Sequence, residues 1–386
     1  MNIALISPHG MSTVIFCKTM AFYLTRAGHT VHTISPIDGY DVAIGKINSV
    51  HHEIKMQRGV SMLYDALYIY KLRGILRSNN IESVITFTTK PNAYVWLYTA
   101  NTNVKNIHIA VRGLGRVFIE KDKLIHKAAQ SFLKYLYKVS MVKATTVWFT
   151  NQYDMEYLSS MLDKDVPKFI LTKNAISIKH YSPSEKISIE STNFQKKYNL
   201  KQKTIVVMVG RLLKSKGVME FLDSATNVSK KINNVMFVLV APRESQSSDS
   251  IKKSYIESRV SSNDNLLWIE YMKDLRPLYY ISDLAVLPSY YKEGGYPRAL
   301  LEPMSFSKPV IAADTDECRG VVDPNLNGLL VNPMDSLDLS EKIIKILSSK
   351  KILDMGRHSR SIIEDRHDDT KVIKDLLLKM NLITKD

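Results

Sequence analysis

Apolar residues in this chain fall into short unbroken runs bounded by turn residues, separated by longer stretches in which they recur every three or four positions. That alternation predicts buried strands joined by amphipathic helices. Asn2 to Ser7 is the first run, and it ends in Pro8, His9 and Gly10. A helical pattern from Thr13 to Ala27, closed by Gly28, leads to a second run at Thr30 to Ile34. Strand, glycine-containing loop, helix and strand make a βαβ opening, for which a parallel sheet is the economical arrangement. Further strands are expected at Ser83–Phe87, Ile107–Val111 and Thr145–Phe149, with helices at Ser61–Arg77, Asn92–Ala100 and Asp122–Val139. Residues 180–200 are polar and serine-rich, show no hydrophobic period, and read as a domain linker. The pattern then restarts with a strand at Thr204–Val209, a loop at Gly210–Gly217, a helix at Val218–Lys231 and a strand at Val235–Val240. Later strands are expected at Leu266–Ile269, Leu284–Leu287, Val310–Ala312 and Leu329–Val331.

At 386 residues the chain is longer than a single core usually supports, so two domains are expected, 1–180 and 181–386, with the C-terminal helix free to pack back on the first. Two doubly wound α/β domains facing across a cleft is the architecture this implies. The net charge of +15 is unevenly placed: residues 1–180 hold 22 Lys and Arg against 11 Asp and Glu, leaving 31 against 27 for the rest. A basic first half favours an anionic partner, whether nucleic acid, anionic lipid or a phosphorylated substrate. The two cysteines, Cys17 and Cys318, stand far apart, which supports neither a disulfide framework nor a zinc site and fits a reducing cytoplasm. No signal peptide and no apolar run of about 18 residues is evident, so a soluble or peripherally attached protein is expected.

Ligands of doubly wound sheets lie beyond the carboxyl ends of the strands, which directs attention to three loops of the second half. GRLLKSKG, Gly210 to Gly217, places Arg211 and Lys216 directly after a strand, where two cations can straddle a diphosphate. Ala241–Arg243, with Pro242, follows the next strand. In YYKEGGYPRALLEPMSFSKP the pair Gly294 and Gly295 permits a tight turn, Tyr296 and Pro297 follow, and a helix begins at Arg298. That helix N-terminus can attract an anion, and Glu293 and Glu302 can each accept two hydroxyls of a sugar or ribose. An ordinary loop and helix with a solvated carboxylate would give the same local sequence. The order of the three loops, cations first and carboxylates last, suits a nucleoside diphosphate sugar.

GRLLKSKG followed by SDLAVLPSYYKEGGYPRALLEPMSFSKPVIA resembles the large family of retaining glycosyltransferases with the GT-B fold (family 4-like, group 1), particularly bacterial enzymes that build surface polysaccharides such as O-antigen and capsule. The resemblance covers roughly Thr204 to Asn332, and SPHGMS and RAGHTVHTI near the N-terminus are similar in pattern. It implies that Arg211 and Lys216 bind the donor diphosphate, that Glu302 holds the nucleotide ribose and that Glu293 contacts the donor sugar. Eight residues separate Glu293 from Glu302 where the family usually has seven. One extra residue in the turn, Gly294 or Gly295, leaves both carboxylates in place; otherwise the amides of Gly295 and Tyr296 take over part of the work of Glu293. The acceptor is expected on the first domain, at His9, Gly10, Arg112 and Arg116, and the histidine that many relatives carry near Ala110–Phe118 is absent.

The resemblance implies no metal and no cofactor, so the Asp314-Thr315-Asp316 triplet is expected to bind no ion. Transfer of a hexose or N-acetylhexosamine from a donor, UDP-linked by the commonest usage, to a polyprenyl-diphosphate-linked saccharide at the inner face of the cytoplasmic membrane is the expected reaction. From Lys121 to Lys143, lysines interleave with Leu124, Ile125, Ala128, Phe132, Leu136 and Val139, which approximate one helical stripe. The stretch is either a surface helix with solvated lysines or an interfacial helix that meets anionic lipid. The alternatives are a nucleotide-sugar epimerase on a similar fold, a basic nucleic-acid-binding protein, for which no motif is visible, and a silent membrane scaffold.

Overall fold

A computed structural model describes residues 1–57, 61–114, 124–162, 167–244, 247–291 and 294–384. The chain divides into two compact units, Met1–Lys173 with Asp369–Asp386, and Asn174–Asp368.

The first unit is built on seven parallel strands: β1 Asn2–Ile6, β2 Thr30–Ser35, β3 Val50–Glu53, β4 Ser83–Phe87, β5 Asn106–Val111, β6 Thr146–Phe149 and β7 Lys168–Leu171. Their spatial order is β3-β2-β1-β4-β5-β6-β7. Ile3 pairs with Val31 on one side and Ser83 on the other. Both faces of β1 are covered, so the strand is apolar from Ile3 to Ile6 and its side chains divide by parity. Ala4 and Ile6 join a core with Leu72, Tyr94, Tyr98 and Tyr137. Ile3 and Leu5 join the opposite one with Met20, Leu24, Leu376 and Leu377. Helices Met62–Ser78, Thr89–Thr99 and Leu124–Val142 thus share the first face, and helices Lys18–Arg26 and Asp369–Lys379 the second. The C-terminal helix is fastened there by Thr19, whose hydroxyl donates to Asp369 at 2.6 Å.

The second unit has six parallel strands, β8 Thr204–Val209, β9 Val235–Val240, β10 Leu266–Ile269, β11 Leu284–Leu287, β12 Val310–Ala313 and β13 Gly328–Val331, in the order β10-β9-β8-β11-β12-β13. Ile205 and Val207 face one core, Val206 and Met208 the other. Strand order reverses at β1/β4 in the first unit and at β8/β11 in the second, which makes both units Rossmann-like.

Three expectations need correction. Residues 180–200 are not a linker: Glu185–Lys197 is a helix whose cap, Ser184, accepts from the Ile187 amide at 3.3 Å. Ile187, Ser191, Phe194 and Tyr198 supply the helical period, and Ser191 donates to the Pro277 carbonyl at 2.9 Å. The chain passes between units earlier, at Lys173/Asn174. Strands β3 and β7 were not anticipated; as sheet edges they need only partial burial, and the sequences VHHE and KFIL show it. In helix Leu124–Val142, Leu136, Tyr137 and Met141 are buried but Phe132 is 60% exposed, so the inward stripe does not include Phe132. Lys121 to Lys123 lie outside the described residues.

Candidate functional site

At the β8/β11 reversal two loops leave adjacent strands and are tied together. The amides of Tyr290 and Tyr291 both donate to the Ser215 carbonyl at 2.9 Å. Gly217 lies so close to Pro288 that a Cβ on it would stand 2.3 Å from the Pro288 carbonyl oxygen, and its φ of +78° is left-handed. Only glycine combines that conformation with that contact. It also begins helix Val218–Ser229. The third loop joins through the Pro242 carbonyl, which accepts from Leu212 at 3.0 Å, while the Gly210 amide donates to Val240 at 3.1 Å.

This frame brings Arg211 and Lys216 to one aromatic ring: the guanidinium carbon lies 4.9 Å and the ammonium nitrogen 4.6 Å from the centroid of the Tyr291 ring. The negative face of the ring offsets the repulsion between two neighbouring cations. Glu244 approaches Arg211 at 3.7 Å, and Lys216 is 8% exposed. Asp249 fixes the loop from behind, accepting from the Ser215 amide at 3.1 Å and from its hydroxyl. Glu220, in the first turn of the helix, has a buried oxygen without a hydrogen bond, and burial raises its pKa. Gly210, Arg211, Lys216 and Pro242 are therefore on one loop cluster; Tyr291, Glu244 and Asp249 belong to it without having been expected. The Tyr-Tyr pair immediately before the glycine turn was the available signal.

Glu293 lies outside the described residues. Beyond it, Gly295 takes φ +119° and Pro297 caps helix Arg298–Ser305. Tyr296 packs on Gly320, where a Cβ would lie 2.2 Å from its ring, and its carbonyl accepts from Asn174 at 2.6 Å. Glu302 is 7% exposed and Arg298 turns toward it: Nη2 and Nε reach Oε1 at 3.0 and 3.1 Å. The Tyr181 hydroxyl donates to the same oxygen at 3.0 Å. Burial opposes the charge on Arg298, yet Glu302 and Tyr181 hold its pKa above the usual value. Tyr181 comes from the stretch expected as a linker. Arg298 is thus engaged inside the unit, with Glu302, Tyr181 and the Ala175 carbonyl at 3.4 Å.

In the first unit, His9 follows β1 at a cavity of about 780 Å³ lined also by Asp38, Tyr40, Glu53 and Lys55, and Gly10, next in the chain, is not among the lining residues. Asp38 accepts from the Gly10 amide at 3.2 Å and lies 3.7 Å from His9 Nδ1. Arg112, after β5, is not among the lining residues; its guanidinium lies over Phe16 at 3.9 Å and Trp148 at 5.5 Å. Arg116 lies outside the described residues. Asp314 and Asp316 both pair with Arg319, at 2.6 and 3.0 Å, and its hydrogen bond lowers the pKa of Asp314. Among the described residues there is no group of three or more His, Cys, Asp or Glu arranged to hold a metal ion, and no helix is long and apolar enough to cross a membrane.

Two Rossmann-like units with a cationic loop cluster at the second reversal point define the GT-B class of glycosyltransferase. The family model for glycosyl transferases group 1 matches residues 190–362. The N,N'-diacetylbacillosaminyl-diphospho-undecaprenol alpha-1,3-N-acetylgalactosaminyltransferase of Campylobacter jejuni is 28% identical over 73% of this chain and 72% of its own length. The capsular polysaccharide biosynthesis glycosyltransferase CapM of Staphylococcus aureus is 23% identical over 94% of this chain and 93% of its own. HepE from Anabaena, solved in complex with UDP and glucose, has the same fold, with a TM-score of 0.77 at 14% identity over 99% of both chains. The protein is a GT-B-fold glycosyltransferase related to the group 1 family.

Proposed function

We propose that the protein transfers a hexose or N-acetylhexosamine, with retention, from a UDP-sugar to a polyprenyl-diphosphate-linked saccharide during surface-polysaccharide synthesis, at the inner face of the cytoplasmic membrane. The observation that carries the donor half is the gathering of Arg211 and Lys216 on the Tyr291 ring at the β8/β11 reversal. As the bond from the anomeric carbon to the diphosphate breaks, negative charge grows on the leaving oxygen, and these two cations stabilise it where it forms. The acceptor hydroxyl bonds to the same face of the anomeric carbon, and its proton passes to the departing diphosphate. Gly210 and Pro242 shape the phosphate side of the pocket. Arg298 and Tyr181 both bind Oε1 of Glu302, and Oε2 is the oxygen we assign to the ribose hydroxyls. Glu293 and the amides of Gly294, Gly295 and Tyr296 are assigned to the donor sugar, with Pro297 and Arg298 supporting the turn. On the first unit, His9 and Gly10 are assigned to the acceptor with Arg112 and Arg116. The names of the Campylobacter and Staphylococcus relatives support the lipid-linked and polysaccharide parts of this reading.

A panel of UDP- and GDP-sugars in a thermal-shift assay tests it. A shift with one UDP-sugar that disappears in Lys216→Ala is the expected result. No shift with any nucleotide sugar would refute the donor assignment, and a soluble sugar that serves as acceptor equally well would refute the lipid-linked one.

A further inference from the structure

The first unit carries apolar side chains on the solvent side of the helices that cover one sheet face. On helix Met62–Ser78, Leu63 is 79% exposed, Tyr64 55%, Leu67 47% and Tyr70 76%, while Leu72 and Leu76 fill the core beneath. Leu63, Leu67 and Tyr70 stand at i, i+4 and i+7, a single stripe along the helix. Helix Leu124–Val142 repeats the arrangement with Phe132 and Tyr135, each 60% exposed, above buried Leu136 and Tyr137. Between them lies helix Thr89–Thr99, packed into the same core. Leucine and aromatic side chains with about half or more of their surface in water, on two helices of one layer, are not explained by folding.

The charge around them is one-sided. By sequence the three helices contain seven Lys and Arg and a single carboxylate, Asp65. Asp65 is 6% exposed and pairs with Lys90 at 2.6 Å, so the two cancel beneath the surface and six of the seven cations remain. On the adjacent helix Gln152–Ser159 the exposed carboxylate is Glu156, which accepts from Gln152 at 2.7 Å.

We infer that this face, with Leu63, Leu67, Tyr70, Phe132 and Tyr135 inserting and Lys71 and Lys134 beside them, docks on an anionic lipid surface. This rests on the reading of a lipid-linked acceptor and assigns the membrane contact to two helices, with Met62–Ser78 supplying the larger apolar stripe. Apolar side chains projecting from a cationic helical layer suit an interfacial region, where rings and aliphatic chains enter the acyl boundary and lysines meet headgroups. A second copy of the chain fits poorly, since a two-fold contact would set one cationic face against another. Nucleic acid would answer the charge but leave the leucines in water.

The test is vesicle co-sedimentation of the full chain with phosphatidylcholine alone and with phosphatidylglycerol mixed in. Leu63→Gln with Tyr70→Gln changes two of the most exposed side chains, so the fold is retained and circular dichroism checks it. The expected results are binding that requires phosphatidylglycerol, a loss of partitioning of about tenfold or more in this variant, and weakened preference for the anionic vesicle in Lys71→Gln with Lys134→Gln. Three results would overturn the inference: no vesicle binding by the native protein, equal binding by the double variants, or a dimer in sedimentation equilibrium that the Leu63/Tyr70 variant dissociates. Oligonucleotide binding without vesicle binding would assign the face to nucleic acid instead. UDP-sugar binding is measured in parallel: its absence alongside intact vesicle binding refutes the donor reading and not this one.

Discussion

Gly217→Ala is the most demanding test of the loop cluster, because the structure supplies its magnitude. An alanine at φ +78° costs about 1–2 kcal/mol for the left-handed conformation alone. Its Cβ would also lie 2.3 Å from the Pro288 oxygen and 2.6 Å from the Pro288 carbonyl carbon, and real contacts stay beyond 3.0 Å. The Pro288 segment would have to retreat by about 0.7 Å or more, which carries the Tyr290 and Tyr291 amides beyond hydrogen-bond reach of Ser215. Two hydrogen bonds at about 1 kcal/mol each bring the loss to about 3–4 kcal/mol. Tyr291 would move with its amide, so the ring that gathers Arg211 and Lys216 is displaced and nucleotide binding falls as well. Urea denaturation measures the first effect and isothermal titration with UDP the second. Gly28→Ala is the control: its φ is +82° but a Cβ there meets nothing within 4 Å, so it should cost only the conformational part. Equal losses in the two variants, or a Gly217→Ala protein that binds UDP normally, would refute the argument.

Other outcomes follow from the same structure. Arg298→Ala leaves Glu302 buried without its cation and should destabilise the second unit by about 3–5 kcal/mol in urea, whereas Glu302→Gln, which still accepts from Tyr181, should cost less and weaken UDP binding. His108 is 1% exposed, and burial lowers its pKa from 6.5 to about 4. Below pH 6.5 the unfolded chain binds a proton that the folded chain refuses, so stability should fall by about 3 kcal/mol as the pH drops toward 4. His108→Gln should show a shallower slope over that window in pH-dependent denaturation. Prolonged EDTA treatment should leave transferase activity unchanged, because the proposed donor site gives the diphosphate charge to Arg211 and Lys216, and Arg319 already pairs with Asp314 and Asp316.

What could be read in the sequence was what burial makes uniform. Strands β1, β6, β8, β9 and β11 are covered on both faces and appear as apolar runs, and β4 and β5 do so with one buried polar residue inside each, Thr86 and His108. The edge strands β3 and β7 are half covered, and VHHE and KFIL carry no comparable run. Helix Glu185–Lys197 escaped notice because its inward stripe includes Ser191, which is buried by a hydrogen bond to Pro277 and not by being apolar. The same division holds at the site. Arg211 and Lys216 were legible because a strand end followed by a glycine-bounded cationic loop is a local pattern. Tyr291, Asp249 and Tyr181 reach the site or its supports only through tertiary contacts, with Tyr181 meeting a carboxylate 121 residues away.

Net charge illustrates how far such reading goes. The basic first half announced an anionic partner without choosing it, and placement does the choosing. In the second unit Lys216 is nearly enclosed and Arg211 two-thirds covered, both fixed by a loop that glycine and Asp249 hold in one conformation. In the first unit Lys71 stands in solvent beside the exposed Leu67 and Tyr70, and Lys134 is half-buried beside the exposed Phe132 and Tyr135. Salt screens the second kind of charge much more than the first. Raising the ionic strength should therefore weaken vesicle binding steeply at concentrations that leave UDP binding nearly unchanged, as read by co-sedimentation and titration on the same preparation. Parallel decline of both would mean that the switch-point cations are as exposed to solvent as the surface lysines, contrary to the geometry around Tyr291.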